Sequence, residues 1–442
     1  MSETRRGTSE PGAPARASGG GNRWVILACA VLVQLAIGSV YAWSVFAKAM
    51  QAKEAFGWPK TQAALPFSVA IGMIFVGSFI GGRLQDARGP RVVALTGGII
   101  YSVGVILASF SGKDSFWLLV LGYGVLAGFG LGMVYIVPIA MLQKWFPDRP
   151  GLITGLAVAG FGFGAVITGP VGQALIDQTP STPTKAFLWL GIGYLVALLI
   201  GTSVFRNPPA GYLESVAAST PATTTAGPSP DEDAQALTRD FTQDEALHTR
   251  QWYLLTAILT MSVTAGISLI AVAAGTATDV AGYSKTAAAT LVGVLGLFNG
   301  GGRILWGWVS DHIGKMPAFM GILGIQGVCL LLIPHVGNAA VFAVLAALVY
   351  TCYGGGFGTM PSTAGKFFGV RYVGAIYGLM LIGWSIGGVV GPLLIAALIG
   401  EEKAYTLGFT VIGIITLVAL ALPLVTKPPN RATATTTQKA RV

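Results

Sequence analysis

Charge is what this chain has least of. Only 10% of its 442 residues are Asp, Glu, Lys or Arg, against roughly 25% in soluble domains. A water-soluble globular fold is thereby excluded, and the mean hydropathy of +0.69 says the same. Cysteine is almost absent. Cys29, Cys329 and Cys352 all fall inside apolar runs, where they read as small core hydrophobes and not as disulfides or metal ligands. The three histidines, His248, His312 and His335, fall in loops or at helix ends. No cluster of His, Asp, Glu and Cys forms an enzyme constellation, so no catalytic residue, metal or cofactor is expected. No Gly-Lys-Ser/Thr phosphate loop is present, which excludes ATP drive. All eighteen acidic residues lie in tails, loops or helix ends. The net charge of +9 does not point to nucleic acid, because the basic residues sit singly between apolar runs. The first twenty residues lack the apolar core of a signal peptide and read as a disordered tail.

What the chain does have is apolar length and glycine. Its 62 glycines are about twice the usual share, as suits membrane helices that approach closely. Twelve apolar runs follow one another: Trp24–Phe46, Gln62–Gly82, Val92–Phe110, Phe116–Leu142, Leu152–Ile176, Ala186–Phe205, Tyr253–Gly275, Thr286–Val309, Phe319–Ile333, Ala339–Pro361, Val373–Ile399 and Tyr405–Val425. Lipid cannot satisfy backbone polar groups, so these runs are helices. The fold class is an all-α membrane protein of twelve transmembrane helices in two pseudo-symmetric six-helix bundles. With the N-terminus inside, 19 of the 27 Lys and Arg residues fall on the cytoplasmic side and seven on the other, leaving Arg303 within a helix. The positive-inside rule then puts both termini in the cytoplasm and the protein in the inner (cytoplasmic) membrane. The expected division is a tail 1–21, a bundle 22–206, a linker 207–250, a bundle 251–427 and a tail 428–442. The linker is rich in Pro, Ala, Thr, Ser and acid. Its end, from Asp240 to Leu247, reads as a short amphipathic helix on the cytoplasmic surface.

The two bundles repeat each other at an offset of about 222 to 225 residues. Gly82-Arg-Leu-Gln-Asp86-Ala-Arg-Gly89-Pro-Arg91 follows the second run, and Gly307-Trp-Val-Ser-Asp311-His-Ile-Gly314-Lys315 follows the eighth. Lys144-Trp-Phe-Pro-Asp-Arg149 is matched by Lys366-Phe-Phe-Gly-Val-Arg371. Lys60-Thr61 is matched by Lys285-Thr286, and Gly169-Pro170 by Gly391-Pro392. Internal repeats of this kind mark secondary transporters, which hold substrate between the halves near the bilayer midplane.

At Gly82–Arg91 and Gly307–Lys315 the sequence resembles the major facilitator superfamily, whose signature is a Gly-x-x-x-Asp-x-x-Gly-x-Arg/Lys loop after spans 2 and 8. The resemblance covers nearly the whole chain. It implies that Gly82, Asp86, Arg91, Gly307, Asp311 and Lys315 bias one conformer of an alternating-access cycle; a plain turn or helix-end role fits either Asp taken alone. A narrower resemblance rests on Asn22-Arg-Trp, Val40-Tyr-Ala-Trp-Ser-Val-Phe46, Lys144-Trp-Phe-Pro-Asp-Arg149, Asn299-Gly-Gly-Gly-Arg303 and Phe367-Phe-Gly with Tyr377-Gly378. These are similar to the oxalate/formate antiporter family, which includes bacterial monocarboxylate transporters.

Arg303 is the one charge well inside an apolar run without a charged neighbour on its helix. Such residues are costly and usually functional. A guanidinium fork matches a carboxylate with two prongs, and the resemblance implies that this arginine binds a substrate carboxylate. Snorkelling to the surface also fits, because Arg303 lies six residues before Val309. Asn299, one turn earlier, either adds a hydrogen bond to the substrate or packs between helices. Tyr135, Tyr353, Tyr41 and Trp384 are further pocket candidates, with packing or interfacial anchoring open for each. The family's oxalate carriers have a lysine in span 11 where this chain has Trp384. One cation suits a monoanion such as lactate, pyruvate or formate better than the dianion oxalate. Asp279 is the best acidic candidate for coupling: it pairs with Arg303 in one conformer or sits in the outer loop. The expected partners are a small carboxylate, H+ in the case of symport, and the lipid bilayer, with a monomer suggested by analogy. A carrier of another small molecule and a transporter-like sensor remain as alternatives.

Overall fold

The computed structural model describes residues 22–209, 212, 240–400, 402 and 404–429. The expected tail 1–21, linker residues 210–211 and 213–239, and the tail from residue 430 lie outside the described residues. Among the described residues twelve helices are long and apolar enough to cross a membrane. They are span 1 (Arg23–Gln51), span 2 (Gln62–Arg88), span 3 (Pro90–Ala108), span 4 (Phe116–Trp145), span 5 (Pro150–Gln178), span 6 (Pro183–Thr202), span 7 (Arg250–Asp279), span 8 (Thr286–Ile313), span 9 (Lys315–His335), span 10 (Ala339–Phe368), span 11 (Val373–Ile399) and span 12 (Tyr405–Val425). The polarity of a soluble protein is inverted. Ile99, Val103, Val166, Val196, Val344, Leu393 and Val418 are exposed, while Gln34, Gln85, Gln143, Gln326 and Arg303 are buried. Hydrocarbon solvates the apolar faces, so polar groups gather inside, where other helices supply partners.

Span 4 packs against spans 2 and 3, span 3 against span 6, and span 1 against spans 5 and 6. The later spans repeat the scheme, with span 10 against spans 8, 9 and 7. These groups are joined mainly by span 5 against spans 8 and 10 and by span 2 against span 11. Glycine lets span 5 close on span 8 and span 2 on span 11. A Cβ on Gly151 would collide with the carbonyl of Gly307, one on Gly155 with the carbonyl of Arg303, and one on Gly82 with the carbonyl of Gly374. Spans 5 and 8 stay in contact as far as Gly162 and Gly300. Beyond that point a Cβ on Gly169, Gly293 or Gly296 would meet nothing within 4 Å. With twelve spans the two described chain ends share one side, here called the terminal side. The protein is closed there and parts toward the opposite side.

The signature segments are tighter than loops. Span 2 stays helical through Asp86 to Arg88 and turns at Gly89, whose φ of 84° suits glycine. Span 3 restarts at Pro90. The eighth span does the same at Gly314, with φ 92°, and span 9 restarts at Lys315. Both carboxylates therefore sit in the last helical turn, each aimed at the N-terminus of a helix in the other half. Asp311 accepts from the backbone N–H of Gly151 at 2.9 Å and of Leu152 at 2.8 Å, and Lys315 Nζ pairs with it at 2.7 Å. Asp86 accepts from the N–H of Ala375 at 3.2 Å. A carboxylate at a helix N-terminus meets orphan donors and a favourable dipole. Arg91, by contrast with its counterpart Lys315, is exposed in the first turn of span 3.

Gly155→Leu drives a side chain into the carbonyl of Arg303, whereas Gly169→Leu enters open space. Overpacking costs about 1–3 kcal/mol. Melting of the purified protein should show a lowered transition for Gly155→Leu and little change for Gly169→Leu. Equal melting of the two variants would refute the glycine-mediated contact.

Candidate functional site

Arg303 leaves span 8 where the halves part. It lies ten residues before the helix end at Ile313, about 15 Å along the axis, and is 1% exposed. It does not snorkel. The helix runs past the apolar limit at Val309, which places the guanidinium deeper than the run alone suggested. Nη1 donates to the carbonyl of Val158 on span 5 at 3.1 Å. Nε points to Asn299 Oδ1 at a loose 3.5 Å. Nη2 is buried without a well-formed hydrogen bond. The cation is flanked by two aromatic rings, Phe357 at 5.2 Å and Phe161 at 5.8 Å from Cζ. Ring quadrupoles stabilise a desolvated cation by about 2 kcal/mol but supply no counter-charge. Among the described residues Arg303 has no salt bridge.

Five other spans deliver the surrounding side chains. Span 1 breaks into a 3-10 turn over Gly38–Ala42, which carries Tyr41. Gly38 is required there, because a Cβ would collide with the carbonyl of Phe161. Span 4 supplies Tyr135, whose carbonyl accepts from buried Gln34 at 3.2 Å. Span 5 supplies Phe161. Span 10 places Tyr353 and Phe357 one helical turn apart, and its Gly354 and Gly358 let it close on the backbone of Asn299 and Arg303. Span 11 is interrupted at Leu381 and resumes at Ile382, so Trp384 stands in the first turn of the second piece.

The rings form one connected cluster. Phe161 meets Tyr41 at 5.1 Å and Tyr135 at 5.0 Å. Phe357 meets Tyr353 at 5.4 Å and Trp384 at 5.3 Å. Trp384 faces Tyr135 at 6.3 Å and closes the ring of contacts between the halves. Such edge-to-face geometry is the preferred one for aromatic pairs. Tyr41, Tyr135, Tyr353 and Tyr377 are all within electrostatic range of the guanidinium. The hydroxyls of Tyr41 and Tyr377 are buried without a well-formed hydrogen bond. A buried cationic N–H without a well-formed bond and two loosely held hydroxyls, Tyr41 beside Arg303 and Tyr353 and Tyr377 beside Tyr135, thus share one desolvated region walled by rings. That arrangement suits a small anion with a flat carboxylate.

Every pocket candidate read from the sequence lies in this region: Arg303, Asn299, Tyr135, Tyr353, Tyr41 and Trp384. Three contributors were missed. Phe161 sits in Gly160-Phe-Gly-Phe-Gly164, a glycine-rich stretch of the same type that singled out spans 4 and 10. Phe357 lies inside the stretch already marked for Tyr353. Tyr377 served only as a point of alignment. Asp279 is placed elsewhere. It is exposed at the end of span 7, where its Oδ2 accepts from Tyr405 Oη at 2.9 Å. Arg303 lies eighteen residues into span 8 from Lys285, about 27 Å deeper by helix rise, so the suggested pairing of the two is not made here.

The sequence profile described as Major Facilitator Superfamily matches residues 26–392. The oxalate:formate antiporter of Oxalobacter formigenes is 30% identical over 412 residues, covering 91% of each chain. Apicoplast pyruvate carrier 1 of Toxoplasma gondii is 25% identical, over 80% of this chain and 74% of that protein. In three dimensions the chain is similar to FucP, a transporter of this superfamily solved in the outward conformation. The TM-score is 0.68 at 16% identity, over 92% of this chain and all of that one. This twelve-span protein has the fold of a transporter, not of an enzyme, and the chain belongs to the Major Facilitator Superfamily.

Proposed function

We propose that this chain is a secondary carrier of small monocarboxylates, such as lactate, pyruvate or formate, working by alternating access between bundles 22–206 and 251–427. The observation that carries the proposal is the buried guanidinium of Arg303, which has no well-formed hydrogen bond at Nη2 and no acidic partner among the described residues. A lone buried cation is costly, and a bound carboxylate removes that cost by its own charge. With Nη1 engaged by Val158, the edge formed by Nη2 and Nε is the one left for a two-pronged carboxylate. Asn299, held loosely at 3.5 Å, gives way to it or joins it. Tyr41 and Tyr377 supply hydroxyl donors, and Phe161, Phe357 and Trp384 limit the size of what enters.

The printed names of two relatives, an oxalate:formate antiporter and a pyruvate carrier, support carboxylates as the substrate class. Trp384 favours a monoanion within that class. It stands against Phe357 and Tyr135, where a second cation would be needed for a dianion. The terminal side is the cytoplasmic one on the count of basic residues, so the arrangement described is closed toward the cytoplasm. Asp86, Asp311 and Lys315 hold that state by closing the cytoplasmic side. Antiport and proton symport both fit, because a weak acid can bring its own proton and an exchanger needs none.

The test is uptake of labelled lactate into proteoliposomes, with formate and oxalate as competitors. Two charge-assisted hydrogen bonds are worth about 3 kcal/mol or more, so Arg303→Ala should lower uptake at least about a hundredfold. Wild-type uptake should resist oxalate. Unaffected uptake in Arg303→Ala would remove the basis of the proposal, and oxalate preference in the wild type would turn it into an oxalate/formate exchanger. Trp384→Lys supplies the missing second cation and should convert oxalate from a poor competitor into a strong one, read as a fall in its inhibition constant.

A further inference from the structure

The segment leading into span 7 carries a short helix, Gln243–Leu247, opened by a capping box between Thr242 and Glu245. Its attachments are specific. Phe241 N donates to the carbonyl of Phe368 at 2.8 Å, and the two rings meet edge-on at 5.7 Å. Asp240 accepts from the N–H of Arg371 at 3.1 Å. These contacts fasten the segment to spans 10 and 11. Gln243 then reaches across. Its Nε2 donates to the carbonyl of Ala375 on span 11 at 3.1 Å, and its Oε1 accepts from Arg83 Nε on span 2. Arg83 also lies 4.0 Å from Asp244. Gln243 is 7% exposed, so one buried side chain is bonded to both halves at once.

The bridge stands where the closure is weaker. The junction of spans 8 and 5 is held by Asp311 through two backbone N–H groups and by Lys315. The pseudo-equivalent junction of spans 2 and 11 has one bond from Asp86, at 3.2 Å, with the other carboxylate oxygen of Asp86 unpartnered. Lys144 Nζ adds one bond to the carbonyl of Arg371 at 3.2 Å. The two junctions carry matching motifs but are unequal, and the inter-bundle segment is added to the poorer.

We propose that Asp240–Leu247 is a latch on the junction of spans 2 and 11, with Gln243 as the bolt that must withdraw from Arg83 whenever the terminal side opens. The bond to Arg83 exists only in the closed arrangement, because Arg83 belongs to the half that moves away, while the bond to Ala375 stays within the half that carries the segment. Cutting either end removes the same bridge. The latch sets how often that side opens and takes no part in recognising the transported molecule.

The test needs no substrate. In the full chain with Cys29→Ala and Cys352→Ala, Thr154→Cys places a thiol at a fully buried position facing the carbonyl of Gly358 across the halves. Buried Cys329, on span 9, is kept as a gauge of general loosening. Labelling by a thiol reagent is followed at both sites by mass spectrometry. Gln243→Ala should speed labelling at position 154 about tenfold and leave Cys329 protected. Arg83→Ala should do the same, and the double variant should label no faster than either single one, since coupled residues are not additive. An unchanged rate in Gln243→Ala, additive effects in the double variant, or a parallel rise at Cys329 would each overturn the proposal.

Discussion

A single positive charge held out of water is the constraint to which the rest of this structure answers. Hydrocarbon tolerates such a charge poorly, and the protein surrounds Arg303 with partial compensations only: a carbonyl from span 5, a distant amide oxygen and two ring faces. None carries a full negative charge. The glycines that let spans 5 and 10 close on the backbone of Arg303 keep water from the cation. The breaks in spans 1 and 11 are the local cost of presenting Tyr41 and Trp384 to the same place. Closure of the terminal side and exclusion of solvent from the site are therefore one act of packing, because the carbonyl of Arg303 itself is part of the contact with Gly155.

Much of this was legible in the chain, for reasons that differ from feature to feature. The spans were legible because twenty apolar residues have few other fates, and Arg303 because a charge inside such a run is costly unless it snorkels to the surface. The repeat was legible because paired glycines and carboxylates recur in order. Helix ends were less so. Apolar runs stop where hydrocarbon stops, but backbone hydrogen bonds continue, so Asp86 and Asp311 were read into loops although they lie in the last turns of helices. The extra turns also moved Arg303 away from the surface. Phe161 and Phe357 escaped notice because a phenylalanine in a membrane span resembles every other one; only the neighbouring glycines distinguish those that face the site. Asp279 lies at the outer end of span 7 with a bond to Tyr405, the second of the two placements its sequence position allowed.

The internal repeat is not carried through to the contacts. Matching motifs stand at both junctions, yet Lys315 is buried against Asp311 while Arg91 is exposed. The difference traces to helix restarts of unequal chemistry. Pro90 and Arg91 follow Gly89, whereas Lys315 follows Gly314 directly and sits one turn from the carboxylate. A shift of one residue in the basic position thus separates an ion pair from a surface charge.

That no described residue gives Arg303 an acidic partner has an electrical side under the proposed function. An empty site carries one positive charge in the membrane interior, and a site holding a monocarboxylate carries none. A field acts on charge at about 2.3 kcal/mol per elementary charge per 100 mV fully traversed. To the extent that reorientation moves Arg303 through the field, the transmembrane voltage acts on the return of the empty protein and leaves the loaded passage untouched. Under the proposed function, the side chain that would bind the anion also makes the unoccupied half of the cycle the voltage-sensitive one.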